Sequence, residues 1–157
     1  MPPRRRLPYD PAMPDPTPLP DHVRAFLAAP GRFLTLATLD PDGSPRQAVI
    51  WYRLDPDGRI VVNSADGRRW PANLRRDPRC SLVVADPADG YSFVAITGRV
   101  AEVIDEQAIA QADIAGTARR YHADDPAAAE RVIARFRTQH RVTFRIDVAA
   151  VHDHVEG

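Results

Sequence analysis

The fold class this sequence predicts is a mainly β domain with inserted helices, its short antiparallel strands closing into a small barrel. Three observations predict it. Six segments alternate apolar with small or polar side chains. Strong turn chemistry separates them, above all Asp-Pro-Asp-Gly, which occurs at 40–43 and again at 55–58. Two stretches of helical composition, 105–121 and 125–139, precede the last segment. The chain has 157 residues, the size of one ordinary domain.

Taken in order, residues 1–20 hold eight of the sixteen prolines and the run Arg4-Arg5-Arg6, with little to bury, and are expected to form a flexible, mobile or draped tail. A single domain is expected over 21–157. Asp21 is placed to cap a short helix through Ala29, with Val23, Phe26 and Leu27 on one face and Pro30-Gly31 ending it. Strands follow at Phe33 to Leu39, Gln47 to Leu54 and Arg59 to Asn63, joined by the two Asp-Pro-Asp-Gly turns into a meander. Trp70 and Leu74 stand at helical spacing in a connecting helix that stops at Asp77-Pro78. Two more strands are read at Cys80 to Ala85 and Tyr91 to Val103, with Gly98 marking a bulge or bend. Asp125 before Pro126 caps the second of the late helices. Val142, Phe144, Ile146 and Val148 alternate strictly in a sixth strand, and closure into a barrel removes the exposed edges that such strands would leave.

Composition narrows the function. Twenty-one basic residues balance twenty-one acidic ones, so no net field draws the protein to nucleic acid or to an anionic membrane, and a small-molecule partner is expected. No apolar run is long enough to span a bilayer and the start lacks the apolar middle of a signal peptide, which points to the cytoplasm. Cys80 is alone, so an internal disulfide is excluded. Every basic residue is Arg, which rules out Schiff-base chemistry on a lysine. His152 and His154 lie two apart on the last strand but have no evident third ligand, so no metal site is expected. No nucleophile motif or Gly-rich phosphate loop is present, which fits a protein whose cofactor brings the reactivity.

The densest functional signal runs from Asp66 to Arg79, where Arg68, Arg69, Arg75, Arg76 and Arg79 fall where a strand gives way to a helix. Guanidinium forks and free helix amides can hold phosphate there, although a solvated helix face has the same composition.

Residues 33–84, with the runs Thr38-Leu39-Asp40-Pro41-Asp42-Gly43-Ser44-Pro45 and Asn73-Leu74-Arg75-Arg76-Asp77-Pro78-Arg79, resemble the pyridoxamine 5'-phosphate oxidase-like FMN-binding split-barrel family. The likeness is closest to its deazaflavin (coenzyme F420)-dependent branch and continues through Asp89-Gly90-Tyr91-Ser92 and Gly98. It implies a six-stranded antiparallel split β-barrel that is a homodimer with two cofactor sites at the subunit interface. It places Gln47, Ala48, Val49, Ile50 and Trp51 along the tricyclic ring, and Asn63, Ser64, Arg68, Arg69 and Asn73 at the polar tail and phosphate. Tyr91 and Phe93 would come from the second subunit. Many relatives carry a phosphate-binding Lys where this chain has Trp70, followed by Pro71. Either Arg68 or Arg69 supplies that charge while Trp70 covers the ring or the entrance, or phosphate binding is weakened. The implied activity is F420-dependent hydride transfer to or from a small organic molecule. The alternatives are an FMN-dependent oxidase or reductase, and a non-catalytic flavin, deazaflavin or tetrapyrrole binder.

Overall fold

The computed structural model describes residues 4–7 and 15–155. Its elements are β1 (Arg4–Arg6), α1 (Asp21–Ala28), β2 (Leu34–Leu39), β3 (Pro45–Ile50), β4 (Arg53–Leu54), β5 (Ile60–Ala65), α2 (Arg69–Arg76), β6 (Arg79–Asp86), β7 (Asp89–Ile104), α3 (Gln107–Tyr121), α4 (Pro126–Phe136) and β8 (Arg141–His154). The molecule is thus mainly β with four helices among the described residues. Seven strands follow one another in the order β3-β2-β6-β7-β8-β5-β4, and β1 pairs with β7 beside them. All pairings are antiparallel.

The strand count exceeds the six expected, and the main reason is a break in the segment 47–54. Its first part pairs with β2 and its last two residues pair with β5, at the opposite end of the sheet. Between them the Tyr52 ring turns fully inward, its hydroxyl donating to the Leu27 carbonyl at 2.6 Å, while its backbone N–H points to the Tyr121 hydroxyl at 3.3 Å rather than to a ladder partner. The expected meander is therefore two separate hairpins, β2–β3 and β4–β5. The curled sheet has edges that are consecutive in the chain, the arrangement of a split barrel.

The two Asp-Pro-Asp-Gly turns are built alike. Gly43 and Gly58 both take positive φ, 85° and 88°, and each donates its N–H to the first Asp carbonyl at 2.9 Å. The long strands β7 and β8 bend at register shifts near Thr97/Gly98 and Val100/Glu102. Gly98 is required there, because a methyl group in its place would lie 2.7 Å from Ile146 Cγ2 and 3.0 Å from Cys80 Sγ. Inside the curl sit Leu34, Leu36, Tyr52, Ile60, Phe144 and Ile146, all fully buried. Cys80 is buried with them, and burial pushes its thiol up to about 12, so it carries no nucleophile.

α1 buries Val23, Phe26 and Leu27 as expected, but Pro20 takes the N-cap position and Asp21 is the first helical residue, with no side-chain cap. Asp125 does cap α4, accepting from the Ala128 N–H at 3.0 Å ahead of Pro126. Part of the N-terminal segment lies along the sheet. Arg4–Arg6 pair with β7, the Leu7 N–H donates to the Ala101 carbonyl, and the Thr17 N–H donates to the Val148 carbonyl at 2.7 Å. Leu19 is buried. Residues 1–3 and 8–14 of that segment lie outside the described residues. No described helix is long and apolar enough to cross a membrane.

Candidate functional site

The break at Trp51–Tyr52 leaves one edge of β3 without a strand partner among the described residues. Alternation along β3 points Gln47 and Val49 outward, Val49 being 70% exposed, whereas Ala48 and Ile50 pack against the core and offer only backbone to that edge. Trp51, expected along a tricyclic ring, ends the edge inside an aromatic cluster. It stacks on Tyr121 at 4.9 Å between ring centres and meets His122 and Phe136 edge-on. Phe33 stacks on Tyr121 at 5.6 Å. The Tyr121 hydroxyl donates to the Arg32 carbonyl at 2.7 Å, and burial raises its pKa.

The other end of the β3 edge meets α2. Helical spacing turns Trp70 and Leu74 to the interior, where both are buried, and Trp70 lies 5.8 Å from Phe144. Trp70 is thus part of the barrel core. Asn73 is also buried, donating to Thr38 Oγ1 at 3.1 Å and to Asp40 Oδ1 at 2.8 Å. That bond, with Arg46 and Arg69 nearby, holds the Asp40 carboxyl below its ordinary range. Ser64 is buried and bonds to the Ala65 carbonyl at 2.8 Å. Asn63 donates to the Ala110 carbonyl and to Thr143 Oγ1, both at 2.9 Å, and accepts from Arg141. The side chains of Asn63, Ser64, Trp70 and Asn73, expected at the ligand, are thus committed to the fold.

The arginines of this region divide in the same way. Arg75 holds Asp105 at 2.5 Å and Asp66 at 3.2 Å; Arg76 donates to the Leu39 carbonyl; Arg79 pairs with Asp77 at 2.7 Å. Arg69 is 64% exposed and reaches only Asp40, at 4.0 Å. Arg68 takes the extended N-cap position of α2, is exposed, and makes no ion pair with any described residue.

A residue the sequence did not single out completes this end. Arg141 is the only buried arginine among those whose side chains are described, 4% exposed. Its partners are neutral: Asn63 Oδ1 at 2.9 Å, Gln139 Oε1 at 2.7 Å, and the Phe136 ring, 4.5 Å below the guanidinium. Burial first, then the Arg68 charge, pulls its pKa down to about 10. Strand alternation alone puts residue 141 on the outer face, and nothing local signals that α3 and α4 cover it.

Tyr91 and Phe93 lie on the β6–β7 hairpin. Tyr91 is 82% exposed, while Phe93 packs on His152 and His154, and His154 Nδ1 donates to the Tyr91 carbonyl. Asp66, Asp105 and His140 place potential ligand atoms within 4.8 Å of one another, but Arg75 already bonds to both carboxylates. A cleft of about 320 Å³ between the 16–19 segment and the second Asp-Pro-Asp-Gly turn stands apart from β3, and its Arg59 is bonded to Asp57 and Asp147.

The family described as pyridoxamine 5'-phosphate oxidase matches the chain over residues 19–154. The chain belongs to this family. Solved structures with the same fold include a protein named F420 reductase, 22% identical with a TM-score of 0.67, the match covering 85% of this chain and 98% of that one. A conserved hypothetical protein of Mycobacterium tuberculosis is 21% identical with a TM-score of 0.65, over 91% and 89% of the two chains. The heme storage protein of Vibrio cholerae is 16% identical with a TM-score of 0.55, over 77% and 84%. At these identities the likeness is one of fold.

Proposed function

We propose that this protein is a homodimeric oxidoreductase that binds coenzyme F420, with FMN as the alternative, along the open edge of β3 and exchanges a hydride with a small organic molecule. Family membership supports a flavin-type cofactor. The observation that carries the reading is the open β3 edge, which runs from the Arg68/Arg69 end of α2 to the Trp51 cluster. The residues present fit such a group: two exposed guanidinium groups at the start of α2 are able to take a phosphate, and a strand edge without a partner among the described residues offers N–H and C=O groups to a planar ring. The cofactor supplies the hydride chemistry when bound. The chain supplies the rest: Arg68 and Arg69 hold the phosphate, the backbone of 47–51 orients the ring, and Val49 and Trp51 keep water from its face.

A second copy of the chain would close the site. Val49, Thr35, Val83, Ala95 and His152 form one cross-strand row, and the exposed part of this face is apolar at Val49. Burying such a row against its symmetry mate stabilises a dimer and brings Tyr91 and Phe93 of a second subunit to the ring. Light scattering together with titration by F420 and FMN tests this. A dimer binding one F420 or FMN per chain, with reduced cofactor turned over by an acceptor, is expected. A monomer, or a dimer that binds neither cofactor, contradicts the proposal, and stoichiometric binding without turnover under any acceptor would make the protein a cofactor carrier.

A further inference from the structure

Arg141 poses a problem that the fold does not solve. A guanidinium cannot shed its charge at neutral pH, and a buried one normally sits against a carboxylate. Arg141 has none within reach among the described residues; Asn63, Gln139 and the Phe136 ring hold it in place without neutralising it. Its hydrogen bonds to described side chains use Nε and Nη1 and leave Nη2 over. Its partner across the strand pair is Ala65, three residues before Arg68, and the charge of Arg68, which likewise has no counter-ion among the described residues, acts on it. Two guanidinium groups without a counter-ion among the described residues, one buried and one exposed, thus belong to the end of β5, where α2 begins. The amides of Arg69 and Trp70 open that helix.

We propose that Arg141 and Arg68 form a built anion site that takes a phosphoryl group, with Arg141 as its fixed, buried half. Arg141 presents Nη2 in a geometry set by Asn63 and Gln139, and Arg68 closes over the anion from the helix start. The site explains why Asn63 accepts from Arg141 instead of facing a ligand itself: it is a positioning residue. It also explains how the chain dispenses with the lysine whose place Trp70 occupies, because the second phosphate cation comes from the start of β8. The inference rests on the proposed function only in assigning that phosphoryl group to the cofactor.

Thermal melting of the full-length, cofactor-free protein in inorganic phosphate, at ionic strength held constant with sodium chloride, tests the site itself. Phosphate at ten times its dissociation constant should raise the wild-type melting temperature by roughly 3–5 °C. Arg68→Gln should abolish that rise. In phosphate-free buffer the same variant should melt no lower than wild type, because it relieves the repulsion on Arg141. Arg75→Gln, which touches neither guanidinium, should keep the phosphate response. Equal phosphate shifts in wild type and Arg68→Gln would overturn the site, as would no shift in wild type. Arg141→Gln and Asn63→Ala should also lose the response; should either fail to fold, Arg68→Gln still decides. Titrating FMN and F420 on the same proteins separates the two proposals. A phosphate response lost in Arg68→Gln with cofactor affinity unchanged leaves the anion site standing and removes the cofactor phosphate from it.

Discussion

Arg145 and Arg141 stand four residues apart on one strand and, by alternation, on one face, yet their surroundings are opposite. Arg145 lies within 2.8 Å of Asp55 and 3.7 Å of Glu102, and Asp55 is shared with Arg53, which in turn reaches Asp113. Arg141 has two neutral acceptors, a ring beneath it and a cation beside it. In the first region each charge faces an opposite charge inside the fold, although Arg53 Nε, Asp113 Oδ2 and Arg145 Nε make no hydrogen bond. The second is complete only when something negative arrives. A chain that uses Arg at every basic position cannot reveal which arginines matter by residue type, and the counter-charges are what distinguish them.

The largest effect expected from this contrast is on stability. Arg145→Gln leaves Asp55 and Glu102 short of a cation and should cost about 2–3 kcal/mol in chemical denaturation, at the low end for a buried pair because the Arg145 side chain is 22% exposed. Phosphate should not alter that loss. Arg141→Gln removes two hydrogen bonds but also a like-charge contact, so its cost in phosphate-free buffer should be about 1 kcal/mol or less. A penalty at Arg141 matching that at Arg145 would mean that the fold neutralises both.

Smaller still is the acid response of the paired region. The Arg75 hydrogen bond holds the Asp105 carboxyl below its ordinary value of 3.8, with the Arg75 charge and His140 adding to it. Because the folded pKa is the lower one, this pair contributes stability that is present above pH 4 and lost as the pH falls through the depressed value. Arg75→Gln should flatten the acid limb of the stability profile by well under about 1 kcal/mol, and leave the neutral region nearly unchanged.

Most of the scaffold was legible in the sequence. Alternation located the strands, Asp-Pro-Asp-Gly located both hairpin turns, and Gly98 announced the register shift at which its missing side chain is required. The break in the 47–54 strand was not legible, because Trp51 and Tyr52 continue an apolar run and only the Leu27 carbonyl and the Tyr121 hydroxyl, distant in sequence, draw Tyr52 inward. The strand pairing of Arg4–Arg6 was hidden for a similar reason, since backbone pairing needs no apolar side chain. In the candidate site, Arg68 and Arg69 are exposed at the start of α2, while Trp70 and Asn73, which the family resemblance implies at the ligand, are buried, and the spacing of a short helix does not show which of its residues the sheet covers. Arg141 was invisible because the cover that buries it comes from α3 and α4.

The central claim is that an anion belonging to the cofactor completes the Arg141 region. The most direct test is the dissociation constant of F420 and FMN, measured by fluorescence titration on wild type, Arg68→Ala, Arg69→Ala and Arg75→Ala at low and high salt. Each charge-assisted phosphate contact contributes about 1.5–3 kcal/mol, so Arg68→Ala or Arg69→Ala should weaken the preferred cofactor roughly tenfold to a hundredfold. Arg75→Ala should change it little at either salt concentration. Weakening by all three variants alike, removed by salt, would reduce the effect to a diffuse positive field and contradict a phosphate held at the start of α2.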